Sequence, residues 1–210
     1  DERMEGQIGM TIPVTLFDYG VGNIHSLSKA AEAVGARVRV EEDPREILKA
    51  RILLLPGVGA FSRVATSILP IREELQGLLE EGLPTLGICI GMHLLYETSE
   101  EGPGEGIGLL RGQIRKLRHR RLPHIGWNNV KHDQYGLFQG IPSGAFFYFV
   151  HSFAPSGCGE GCIATGKYGD SFGAAVTWKN TWGVQFHPEK SSEAGRNFLQ
   201  NFMAFAEARL

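Results

Sequence analysis

Apolar positions recur in two rhythms along this chain. From Ile12 to Asp18 they run almost unbroken; beyond the turn Tyr19-Gly20-Val21-Gly22-Asn23 they return at Ile24, Leu27, Ala31 and Val34, the spacing of a helix with one buried stripe. Val38 to Val40 predicts a short second strand and Pro44 to Ala50 a weak helix. Ile52-Leu53-Leu54-Leu55 is a continuous apolar strand of the kind buried on both faces of a parallel sheet. Ile71, Leu75, Leu78 and Leu79 predict an amphipathic helix closed by Gly82. Thr85 to Ile88 is a fourth apolar strand, running straight into Cys89 and a helix expected to continue through Tyr96. The first hundred residues thus alternate strand and helix.

Past Gly102 the rhythm changes to short strands parted by Gly, Pro and Asn turns, at Gln113 to Leu117, Trp127 to Lys131, Phe146 to Val150, Cys162 to Lys167, Phe172 to Thr177 and Gly183 to Phe186. Phe198, Leu199, Phe202, Met203 and Phe205 form a closing helix behind a Ser191-Ser192 cap. The pattern predicts one α/β domain over residues 10–210, a three-layer α/β/α arrangement whose mixed, mainly parallel sheet is extended by antiparallel strands. Residues 1–9 are polar and aperiodic, and are expected to form a tail outside it.

Composition narrows the function classes. The chain has 210 residues, 42% of them hydrophobic and 21% charged, which fits an ordinary globular domain. A net charge of -2 supplies no field for a polyanion, so neither nucleic acid nor an acidic membrane is expected as a partner. The longest apolar runs, such as Ile52 to Pro56 and Ala145 to Val150, fall far short of a membrane span. Three cysteines suggest no disulfide framework, and a cytoplasmic protein is the expectation. The basic run Arg115-Lys116-Leu117-Arg118-His119-Arg120-Arg121 reads as a solvated loop or a face toward an acidic partner. Cys158 and Cys162 have a spacing that suits a metal, with His151 upstream. No second ligand pair accompanies them, so neither zinc nor a redox pair is expected.

Two segments carry chemistry. Gly87-Ile88-Cys89-Ile90-Gly91 puts a cysteine at a sharp strand-to-helix turn between two glycines, the arrangement of a nucleophile elbow with Cys for Ser. The helix N-terminus behind the sulfur favours a thiolate. A buried, inert cysteine is the alternative. Gln185-Phe186-His187-Pro188-Glu189 tips the balance, because residues two apart in an extended segment share a side, so Glu189 can orient His187 as the base of a Cys89-His187-Glu189 triad. Pro56-Gly57-Val58-Gly59-Ala60-Phe61 matches no phosphate-binding fingerprint. It falls at the carboxyl end of a parallel strand, as Cys89 does, so backbone N–H groups at Gly57, Val58, Gly59 and Ile90 are the candidates for an oxyanion hole.

Gly-Ile-Cys-Ile-Gly-Met at Gly87 to Met92, with Phe-His-Pro-Glu at Phe186 to Glu189, resembles the class I (triad) glutamine amidotransferases, whose fold is flavodoxin-like. Asp18-Tyr19-Gly20-Val21-Gly22-Asn23, Pro56 to Phe61, His124-Ile125-Gly126-Trp127-Asn128 and Lys190 after His-Pro-Glu are similar, more narrowly, to the glutaminase subunits of imidazole glycerol phosphate synthases. The resemblance implies hydrolysis of L-glutamine through a Cys thioester without metal or organic cofactor, and a heterodimer with a (β/α)₈ cyclase subunit that consumes the ammonia. It also implies a glutaminase nearly silent until the cyclase binds its ligand, with the Gly57 to Gly59 loop as the two-state element. Substrate contacts are implied at His93, Glu97, Ser152 and Phe153, and partner contacts at Asn23, Trp127, Asn128 and Lys190. One departure stands out: His93 occupies a position where these proteins usually carry Gln, which implies an altered affinity for glutamine. Two other classes stay open, a stand-alone cysteine hydrolase active without a partner, and a binding module in which Cys89 is no more reactive than Cys158 or Cys162.

Overall fold

A computed structural model describes residues 11–20 and 22–210, so the expected tail at residues 1–9 lies outside the described residues. The first half runs β1 (Ile12–Phe17), α1 (Ile24–Glu32), β2 (Ala36–Glu41), α2 (Pro44–Ile47), β3 (Leu53–Leu55), α3 (Phe61–Ile68), α4 (Arg72–Glu81), β4 (Thr85–Ile88) and α5 (Ile90–His93). There follow β5 (Tyr96–Ser99), β6 (Leu110–Lys116), β7 (His124–Asn129), β8 (Lys131–His132), β9 (Phe146–His151), β10 (Phe153–Pro155), β11 (Cys162–Tyr168), β12 (Asp170–Trp178), β13 (Thr181–Val184) and α6 (Ser192–Glu207).

Eight strands form the main sheet in the order β2-β1-β3-β4-β13-β12-β11-β8. The four strands of the first half are mutually parallel, β13 adds parallel to β4, and the remaining three continue antiparallel. This is the mixed, extended sheet that the change of rhythm at Gly102 predicts. A three-stranded sheet, β10-β6-β5, and a ribbon of β7 and β9 complete the structure. Because side chains alternate along a strand, Leu54 joins Leu16 and Leu86 in one buried cluster closed by α1 and α6, whereas Leu53 and Leu55 join Phe17 in another closed by α3 and α4. Helices thus cover both faces. Among the described residues no helix is long and apolar enough to cross a membrane.

Three local expectations need correction. The helix after Cys89 ends at His93 instead of running through Tyr96, which starts β5 and pairs with Leu110; tertiary pairing overrides helical spacing there. Ser191 does not cap α6: its hydroxyl donates to the His187 carbonyl at 2.6 Å and accepts from the Tyr148 amide. Cys158 and Cys162 are joined in a disulfide, because the chain turns at Gly157, just before Cys158, and at Gly161, both at positive φ, and brings their Cα atoms to 5.2 Å.

The glycines flanking Cys89 have a steric reason. A Cβ on Gly87 would lie 2.6 Å from the Gly91 carbonyl oxygen, and one on Gly91 would lie 2.0 Å from that of Leu55. Since the obstructing atoms are backbone, Gly91→Ala is expected to destabilise the fold by ~1–3 kcal/mol through overpacking, read as a lower thermal midpoint. An unchanged midpoint would mean that this turn is not as tight as described.

Candidate active site

The turn at Cys89 is strained. After four fully buried residues of β4, Cys89 takes φ 51° and ψ −105°, a conformation that side chains other than glycine rarely adopt. Its backbone N–H still donates to Val184 of β13 at 2.7 Å, so the sheet holds the turn in place. The sulfur is buried; its S–H donates to the Val150 carbonyl at 3.7 Å, and the Gln185 carboxamide donates to it at 3.5 Å.

His187 follows two residues beyond Gln185, past the end of β13, with its backbone N–H tied to Tyr148 on β9 at 2.9 Å. Its Nδ1–H donates to Glu189 Oε1 at 2.9 Å, and both side chains are almost wholly buried. Burial opposes a charge on this imidazole, but the Cys89 sulfur and the Glu189 carboxylate outweigh it and raise its pKa to about 10. His187 Nε2 meets no hydrogen-bond partner among the described residues. The pair therefore supplies an oriented imidazolium beside a buried sulfur, an arrangement suited to covalent acyl transfer.

A hollow of about 170 Å³ opens over Cys89. Val58, Gly59 and Ile90 line it, and Gly57 packs so close beneath that a Cβ would strike Ile90 and the Ile88 carbonyl, so the four oxyanion candidates gather at the sulfur. Tyr19, from the opening Asp-Tyr-Gly motif, is buried and donates its hydroxyl to the Pro56 carbonyl, anchoring the start of that loop. His93, Ser152 and Phe153 line the same hollow. Glu97 does not: it stands on the exposed face of β5, accepts from the Gly112 amide at 2.9 Å and faces a separate depression. The carboxylate that reaches the hollow is Glu101, carried back by the turn after β5 and held by the Phe61 amide at 3.3 Å; burial raises its pKa.

A chain of neutral histidines runs back from the hollow, starting at His151 in its wall. Since the Phe153 carbonyl can only accept, His151 Nδ1 carries the proton there at 2.9 Å, leaving Nε2 to accept from His124 Nδ1–H at 2.9 Å. His124 Nε2 in turn accepts from the Asn128 carboxamide at 3.3 Å. Burial lowers the pKa of His151 to about 3 and of His124 to about 4. Asn128, expected at a partner surface beside Trp127, is turned inward by strand alternation and also donates to the Lys167 carbonyl. Trp127 is 52% exposed and Ile125 59%, an outward apolar pair on β7, with Tyr148 edge-on to Trp127 and the Lys190 ammonium over the Tyr148 ring. Asn23 is exposed and caps α1 by accepting from the Ser26 amide. Within the basic run, Arg118 makes a surface pair with Asp170 at 3.2 Å.

Sequence reading missed Gln185 and the histidine chain. For Gln185 a signal existed: it lies two residues before His187, and so on the same side of an extended segment.

Residues 15–205 match the family described as Glutamine amidotransferase class-I. Two proteins named imidazole glycerol phosphate synthase subunit HisH are each 42% identical to this chain. The one from Methanosarcina barkeri aligns over 196 residues and the one from Pyrococcus furiosus over 193, each alignment covering 90% of this chain and 97% of the relative. A crystal structure described as a glutamine amidotransferase superposes with a TM-score of 0.72 at 18% identity, covering 92% of this chain and 98% of its own, a likeness of fold.

Proposed function

The chain belongs to the class-I glutamine amidotransferases, and from that membership we propose that it is the glutaminase subunit of an imidazole glycerol phosphate synthase, serving histidine biosynthesis in the cytoplasm. It hydrolyses L-glutamine to glutamate and ammonia, and a separate (β/α)₈ cyclase subunit takes up the ammonia. The observation that carries the chemistry is the strained Cys89 beside the buried His187–Glu189 pair. The length and identity of the match to the two HisH proteins support the pathway.

In the reaction, His187 already holds the proton that Cys89 gives up, as the imidazolium of an ion pair, and the thiolate attacks the carboxamide carbon. Backbone N–H groups near Val58 and Ile90 receive the oxyanion, and His187 gives its proton to the departing ammonia, leaving a thioester on Cys89. His187, oriented by Glu189, then takes a proton from water as the water displaces glutamate. Neither step requires a metal. Trp127, with Tyr148 and Lys190 beside it, offers the partner a rigid aromatic anchor of the kind enriched at interface cores.

The test is ammonia release from L-glutamine by the purified chain, alone and then with a cyclase subunit carrying its nucleotide ligand. Weak release alone that rises ~100-fold or more in the complex is the expected result, a coupling of about 3 kcal/mol. Equal rates in both would instead favour a free-standing hydrolase.

A further inference from the structure

The machinery derived above leaves one polar side chain at the sulfur without a role. Gln185 is fully buried, and its carboxamide bridges Cys89 and His93: Nε2 lies 3.5 Å from Sγ, and Oε1 lies 2.8 Å from His93 Nε2. We propose that Gln185 is a catalytic residue that donates a carboxamide N–H to the Cys89 sulfur as it becomes anionic, and that His93 is a positioning residue that holds the amide in this donating orientation.

The chemistry at the sulfur depends on which way round the amide sits. With Oε1 toward His93, a neutral imidazole protonated at Nε2 satisfies it, and the NH₂ group faces the sulfur. Reversed, the carbonyl oxygen faces the sulfur, and two electron-rich atoms oppose each other once the thiol has lost its proton. The reversed amide would also make His93 Nε2 an acceptor, moving its proton to Nδ1, which is buried and has no partner among the described residues. The sulfur end of the bridge therefore selects one orientation, and a His93 protonated at Nε2 satisfies the amide oxygen at the other. In it His93 Nδ1 keeps only a lone pair, on a residue lining the hollow, and is ready to accept an N–H from whatever fills it.

This arrangement divides labour. The sulfur proton is held on His187, and the negative charge it leaves is met by an N–H that does not titrate. His187 is then free to protonate the leaving group without first breaking the contact that steadies the sulfur. His93 protonated at Nε2 presents a single donor to the bridge, which holds the Gln185 oxygen on its side and the NH₂ on the side of the sulfur.

The proposal rests on the glutaminase reading for its chemistry, and its test does not. Cys89 is the free cysteine, so its alkylation by iodoacetamide can be followed peptide by peptide under non-reducing conditions. Losing one hydrogen bond to a charged group is expected to slow alkylation ~10–100-fold in Gln185→Leu. His93→Phe is expected to slow it in the same direction, and the double variant no more than Gln185→Leu alone. Alkylation at the wild-type rate in either single variant overturns the proposal, and for His93 would leave only a direct contact with substrate, seen as a raised KM at constant kcat. Gln185→Met replaces the leucine variant if that does not fold. In the unaltered protein, ¹⁵N resonances must show His93 protonated at Nε2 and bare at Nδ1; the opposite tautomer also overturns it. A failed glutaminase reading would look different, with no ammonia from the complex and the alkylation pattern intact.

Discussion

Cys89→Ala eliminates ammonia release from L-glutamine in the complex with the cyclase subunit, turnover falling by about 10⁴-fold or more, because the sulfur is the nucleophile set beside the His187–Glu189 pair and triad members act as a unit. The fold survives the change. An alanine at φ 51° is no more strained than the cysteine it replaces, and the turn keeps its backbone bond to Val184. A second reading of the same variant separates chemistry from structure. The sulfur is one of the two neighbours that raise the His187 pKa to about 10, so without it burial and Glu189 alone remain and the imidazole titrates lower. NMR titration of His187 in the variant checks this. Full turnover, or a His187 pKa unmoved from that of the unaltered protein, would remove Cys89 from the centre of the mechanism.

Stability falls steeply on mild acidification, by about 5 kcal/mol between pH 6.5 and 4. The sign follows from where protons bind. An unfolded histidine takes up a proton near pH 6.5, whereas folded His93 stays neutral to about pH 4 and His151 to about pH 3, because burial in each case penalises the charge. Between those limits these rings gain protons only in the unfolded chain, so their contribution is complete above pH 6.5 and drains away as pH falls. Each of these two buried rings contributes roughly 3 kcal/mol, and His124 acts in the same direction. His187 adds no slope there, since both states hold its proton below pH 6.5; its contribution is lost as pH rises toward about 10. Glu101, raised by burial, works weakly the other way on the acid side. Urea midpoints at pH 7 and pH 4.5 measure the effect, and His151→Gln is expected to flatten the dependence. Equal midpoints would show that the buried rings are already charged.

What could be read in the sequence was local and periodic. The strand-to-helix cysteine, the His187 and Glu189 alternation and the glycine loop at Gly57 to Gly59 are each encoded within a few residues, and the sheet brings them together because they end neighbouring strands. What escaped depends on contacts distant in sequence. Nothing near Glu97 says that its strand pairs with Leu110 and faces it outward, while the next turn swings Glu101 under α3. Trp127 and Asn128 are adjacent in sequence, yet pleating sends one to the surface and the other to the histidine chain. The spacing of Cys158 and Cys162 is silent on whether they bind a metal or each other; the reversals at Gly157 and Gly161 decide. Ser191 reads as a helix cap, but the His187 carbonyl outcompetes the helix for its hydroxyl.

The pairing of β4 with β13 carries a consequence for refolding. Ile88 stands opposite Val184, one residue before Cys89 on one strand and three before His187 on the other. A slip of one residue would displace His187 by about 3.3 Å and turn its side chain through the sheet, away from the sulfur. Recovered turnover after denaturation therefore counts the molecules whose central strands aligned correctly, a yardstick of folding fidelity that spectroscopic measures of strand content cannot supply.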